Sequence, residues 1–159
     1  MSYAKRWSFI ALLISSLLFA AGVFAQSADD LSQAAEQARA TGMPIMVVFG
    51  AEECPYCERM KKEFLIPQLQ QGELQKKVLV REVDIQAAGK IGDFDGLRIR
   101  NGNFVHRYEV FATPTVVLVD PEGKVLTTPL VGYSDVQDYA QRLEQAINTA
   151  KHSLRTTAS

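Results

Sequence analysis

The chain has 159 residues, 17 basic against 18 acidic side chains and a net charge of −1, with 47% hydrophobic residues. A balance this close to neutral, with no basic block, gives no basis for nucleic-acid binding or for attachment to an anionic membrane surface. The length suits one domain around a single core and leaves no room for a separate dimerisation domain, so a monomer is expected.

Residues 1–25 read as an export signal. Lys5 and Arg6 precede a charge-free apolar stretch from Trp7 to Phe24, and Val23-Phe24-Ala25 offers small residues for cleavage after Ala25. The alternative is an uncleaved N-terminal membrane anchor, since the stretch approaches the ~20 residues that span a bilayer. Residues 1–25 hold two basic and no acidic residues, so the charge becomes −3 without them. The reading is a signal peptide over 1–25, one domain over 26–150 and a disordered polar tail over 151–159. Export, to a periplasm or an equivalent space, places the chain where cysteine pairs can cycle between dithiol and disulfide.

Ser27 and Asp30 fit a capping-box-like start for a first helix, with Leu31, Ala34, Ala35 and Ala38 as its stripe and Gly42 and Pro44 as its stop. Ile45 to Phe49 is a continuous apolar run of strand length, as expected for a strand covered on both faces.

Cys54-Pro55-Tyr56-Cys57 follows, holding the only two cysteines of the chain and opening a helix that runs through Met60, Phe64 and Leu65 until Pro67 ends or kinks it. A cysteine in the first turn of a helix faces unpaired backbone N–H groups and the positive end of the dipole, which favour a thiolate. Cys54 is therefore the candidate nucleophile. Cys57 lies one turn on, on the same side and deeper, where it can resolve a mixed disulfide. Three plainer roles compete. A zinc half-site would need two more ligands, but His106 and His152 stand at spacings matching no common zinc pattern. A structural disulfide would close too short a loop to stabilise much. Inert core cysteines fit poorly with Pro-Tyr between them at a strand-to-helix junction. No metal and no bound cofactor is expected.

Val78 to Ile85 alternates as a second strand. Residues 86–102 read as an inserted hairpin, with an Asp95-Gly96 turn, or as an irregular loop. Asn103 to Val110 can form a short helix. Thr115 to Val119 is a strong strand, turned by Asp120-Pro121-Glu122-Gly123 into a shorter antiparallel partner, Lys124 to Thr127. Ser134 with Gln137 caps a last helix striped by Val136, Tyr139, Leu143 and Ile147.

This order, with Cys54-Pro55-Tyr56-Cys57, Thr113-Pro114 ahead of a strand, Gly123 in a hairpin turn and Gly132 before the last helix, resembles the thioredoxin-like family across nearly the whole chain after residue 25. The signal segment and the run from Met46 to Phe64 are most similar to exported bacterial thioredoxins linked to sulfur oxidation and cytochrome maturation. The resemblance implies an α/β, three-layer fold, a mixed central sheet flanked by helices behind an N-terminal signal segment. It also implies a cis Thr113–Pro114 bond beside the dithiol. Thr113 would then offer its backbone to an extended substrate segment, with Pro55, Tyr56 and Pro114 shaping the contact surface.

Two departures stand out. Val48, Gly50 and Glu53 occupy positions where most thioredoxins have a buried aspartate and tryptophans, so proton transfer at Cys57 must use another group or water. Glu52 and Glu53 precede Cys54 and disfavour its thiolate, partly offset by Arg59, Lys61 and Lys62. His106 reads as a partly exposed helix histidine, with metal ligation or base catalysis as its other role. The favoured function is an exported thiol–disulfide oxidoreductase that reduces a disulfide-containing protein or small-molecule disulfide and is recharged by a membrane thiol–disulfide electron donor. A disulfide-donating oxidase is the alternative direction, and a copper module using Cys54, Cys57 and His106 the alternative class.

Overall fold

The computed structural model of the chain describes residues 26–27 and 30–157, so the export segment read over residues 1–25 lies outside the described residues. Strand β1 is Gln26–Ser27, helix α1 Ser32–Thr41 and strand β2 Ile45–Gly50. Helix α2, Pro55–Met60, runs through a π-helical turn, Lys61–Leu65, into α3, Ile66–Gln71. Then come β3 (Leu79–Asp84), β4 (Lys90–Gly92), β5 (Arg98–Arg100), α4 (Asn101–Arg107), β6 (Thr115–Val119), β7 (Leu130–Val131) and α5 (Val136–Thr157).

The main sheet has the order β1-β3-β2-β6-β7, with β1, β3 and β2 parallel and β6 and β7 antiparallel to what precedes them. All of Ile45 to Phe49 are at most 2% exposed, as a strand covered on both faces requires. Alternation divides the core. Met46, Val48, Val116 and Leu118 face Phe64, Leu65, Tyr139, Leu143 and Ile147 on one side. Ile45, Val47, Phe49, Val117 and Val119 face Ala34, Ala35, Ala38, Phe94 and Phe104 on the other. The result is the three-layer α/β arrangement with a mixed sheet.

Several local expectations change. Gln26–Ser27 pairs with Arg81–Glu82 as a strand, and α1 starts at Ser32, whose N–H is held by Asp30 Oδ1 at 2.9 Å, so no capping box from Ser27 forms. Pro67 does not end its helix. The wide π turn just before it relieves the clash between the proline ring and the carbonyl four residues back, and the helix continues to Gln71. Residues 90–100 form the hairpin, a separate two-stranded sheet. The pairing of Lys124–Thr127 with β6 shrinks to one bridge, Val119 to Val125, because Leu130–Val131 takes the other end of β6. Asp135, not Ser134, caps α5 by accepting from the N–H groups of Gln137 and Asp138, both at 3.0 Å. The tail read as disordered from Lys151 is helical to Thr157, where hydroxyls of Thr156 and Thr157 bond back to the carbonyl of Ser153.

Gly123 shows why the turn after β6 needs glycine: its φ is +80°, and a Cβ there would lie 2.5 Å from the Phe94 ring. Its carbonyl accepts the Tyr108 hydroxyl at 2.8 Å. Burial, with the Asp93 and Asp120 carboxylates adding and Arg107 opposing, pushes the Tyr108 phenol up to about 12. A phenol raised above its ordinary value of ~10 contributes stability that is complete below pH 10 and lost as pH rises through 12. Denaturant titrations from pH 8 to 12 should therefore show a steeper alkaline loss in wild type than in Tyr108→Phe, by an amount on the order of 2 kcal/mol. Identical alkaline slopes would remove Tyr108 from the account.

Candidate active site

The site is built where β2 ends. Cys54 is the N-cap of α2 in extended conformation (φ −124°, ψ 97°), and Pro55 occupies the first turn, where its missing N–H costs no helical bond. Cys54 Sγ accepts the backbone N–H of Cys57 at 3.1 Å, and the Cys54 carbonyl accepts the N–H of Glu58 at 3.1 Å. The two cysteines are joined as a disulfide with Cα atoms 5.2 Å apart. Cys54 is 7% exposed and Cys57 2%. The outer sulfur is thus the one at the helix start.

From the other side comes the loop before β6. The Thr113–Pro114 bond is cis, as the resemblance implies, and the Thr113 hydroxyl donates to Cys54 Sγ at 3.3 Å. The loop is pinned at both ends, with Thr115 Oγ1 donating to the Ala112 carbonyl at 2.7 Å and Gly132 N to the Pro114 carbonyl at 2.8 Å. The structure therefore brings Cys54, Cys57, Thr113 and Pro114 together. Pro55 and Tyr56 sit on the exposed first turn beside them, Tyr56 being 57% exposed.

The charges around the dithiol divide differently from the expectation. Arg59 is engaged by Glu63 (3.4 Å) and the Ser134 carbonyl (3.2 Å), and Lys61 by Glu82 (2.7 Å). Arg59 and Lys61 therefore neutralise other groups, while Lys62 on the following turn and Glu52 and Glu53 ahead of Cys54 stay exposed. Glu82 and Phe111 were not singled out by the sequence. Glu82 enters a cleft with Cys57 because it stands in register with Val48 on the neighbouring strand. Phe111 is 87% exposed two residues before Thr113. An apolar residue in an aperiodic loop carries no sequence signal for exposure.

His106 is exposed on α4, and no cluster of three His, Cys, Asp or Glu side chains able to hold a metal forms among the described residues. None of the helices among those residues is long and apolar enough to cross a membrane.

The thioredoxin-like domain profile matches residues 31–147. The thiol:disulfide interchange protein DsbD of Ralstonia nicotianae is 27% identical over 126 residues, covering 79% of this chain. The chain spans only 19% of that relative's length. A thioredoxin from Thermus thermophilus superposes with a TM-score of 0.54 at 26% identity, over 73% of this chain and 82% of that one. The DsbD C-terminal domain of Neisseria meningitidis, in its oxidised form, shares the fold with a TM-score of 0.53 at 22% identity, over 78% of this chain and 98% of that one.

Proposed function

The chain belongs to the thioredoxin-like family, and from that premise we propose that it is an exported thiol–disulfide oxidoreductase working in the reducing direction. One observation carries the reading: a CxxC disulfide at a helix N-terminus, with its outer sulfur held against the Thr113-Pro114 loop. In the reduced chain, Cys54 thiolate attacks a substrate disulfide and forms a mixed disulfide, releasing one substrate thiol. Cys57 then attacks Cys54 Sγ, releasing the second thiol and leaving the Cys54–Cys57 disulfide. Two electrons pass to the substrate. A thiol–disulfide electron donor, for which a membrane protein is the fitting class given export, returns them.

Pro55, Tyr56, Thr113 and Pro114 form the surface on which a substrate segment lies, its backbone pairing with Thr113. Substrates are proteins or small molecules containing disulfides. Export rests on the pattern of residues 1–25.

The direction rests on Glu52 and Glu53, whose carboxylates disfavour the Cys54 thiolate while Arg59 and Lys61 are paired elsewhere. A less stabilised thiolate means a less stabilised reduced form and a stronger reductant. Equilibration of the protein with a glutathione buffer should give a potential below about −180 mV. Changing Glu52 and Glu53 together to Gln should raise it. A wild-type potential near −120 mV, that of a strong oxidant, would replace this reading with a disulfide-donating oxidase.

A further inference from the structure

Cys57 poses a proton problem. It is 2% exposed, so forming its thiolate inside the protein is unfavourable unless a base takes the proton at the moment of attack. Val48, beneath the dithiol on β2, has no proton-transfer chemistry, and Gly50 leaves open the side of Cys57, where a Cβ would stand 3.8 Å from its Sγ. That opening leads into a cleft of about 520 Å3 lined by Cys57, Lys61 and Glu82. The cleft has room for water.

Other ionisable groups on the same cleft are Glu52 ahead of the dithiol, Glu58 on α2 and Asp84 at the end of β3. All three are exposed, and Asp84 is already engaged by the N–H of Gln86 at 2.8 Å. Glu82 differs from them. Its side chain is 27% exposed, and Lys61 Nζ holds its Oε2 at 2.7 Å from the helix that carries Cys57. Its place in register with Val48 puts it one strand away from the position directly beneath the dithiol.

We propose that Glu82 is the proton acceptor for Cys57, reached through the water-accessible cleft, and that Lys61 is the positioning residue that aims it. The proposal rests on the oxidoreductase reading and concerns its second step. The Cys57 proton passes to the Glu82 carboxylate as Cys57 Sγ bonds to Cys54 Sγ. The bond between Cys54 and the substrate sulfur breaks, and the departing substrate thiolate takes its proton from solvent. In the reverse direction Glu82 returns the proton.

The test is rapid quenching of the reduced chain with oxidised glutathione from pH 5.5 to 9.5, counting the glutathione adduct on Cys54 and its conversion to the internal disulfide. Glu82→Gln should form the adduct at the wild-type rate but resolve it about 100-fold more slowly at pH 7, at the low end of general-base effects. The deficit should narrow steadily as the pH rises towards 9.5, because hydroxide entering the cleft increasingly replaces the missing base. Lys61→Met should show the same pH-dependent deficit in weaker form, and Lys61→Arg, which keeps the ion pair, should recover most of it. If Glu82→Gln does not fold, the two Lys61 variants carry the test. Resolution with the wild-type pH profile, whether at full speed or slowed by a constant factor, would overturn the relay and leave the oxidoreductase reading standing. A wild-type chain that forms no adduct would overturn both.

Discussion

Cys54→Ala is expected to abolish disulfide reduction, with turnover falling by a factor on the order of 10⁴ or more, as when a nucleophile is removed. Cys57→Ala should instead accumulate a mixed disulfide through Cys54. The asymmetry follows from the geometry. Cys54 Sγ receives two donors, the Cys57 N–H at 3.1 Å and the Thr113 hydroxyl at 3.3 Å, at the positive end of α2. Cys57 receives neither and lies behind it, at 2% exposure. An incoming disulfide must approach in line with the attacking sulfur, and Cys54 is the more exposed of the two, at 7% against 2%. Mass spectrometry of each variant after incubation with a disulfide-containing peptide distinguishes the roles. Adducts on Cys57 in the Cys54→Ala protein, formed as fast as those on Cys54 in Cys57→Ala, would reverse the assignment.

The parts of this site that sequence reveals are those encoded within a few residues. Cys54 and Cys57 are three apart at a strand-to-helix junction, and Thr113-Pro114 opens the β-rich run Thr115–Val119, so both declare themselves by local pattern. Glu82 does not. It is one charge in an alternating strand, and its value depends on parallel pairing with Val48 and on Lys61, both distant along the chain. The fold divides the same way. Ile45–Phe49 and Val116–Val119 need no context because every position is apolar. Lys124–Thr127 has strand-like composition, but whether it extends the sheet depends on competition with Leu130–Val131 for one edge of β6. Pro67 announces a helix end by its own chemistry, yet a π turn in the preceding residues absorbs it.

The insertion between β3 and α4 is the segment with the weakest local signal, and it should prove to depend on one ion pair. Asp93, in the hairpin turn, holds the N–H of Phe94 at 2.9 Å through Oδ1. Arg107, at the end of α4, grips the same carboxylate with both arms of its guanidinium, Nη1 to Oδ1 at 2.9 Å and Nη2 to Oδ2 at 2.6 Å. The Asp93 side chain is 9% exposed and that of Arg107 43%. Removing the cation therefore leaves a carboxylate that water scarcely reaches. Arg107→Leu should lower the unfolding free energy by about 3 kcal/mol, the low end for breaking a buried pair because the arginine is partly wet. Asp93→Asn should cost less, since its amide oxygen can still accept from Phe94. The double variant should cost less than the sum, because each change removes the same contact. Hydrogen exchange should quicken over residues 90–107, while the strands around the dithiol keep their protection relative to global unfolding. An Arg107→Leu protein within 0.5 kcal/mol of wild type would mean that Phe94, packed against Phe104, holds the hairpin without the ion pair.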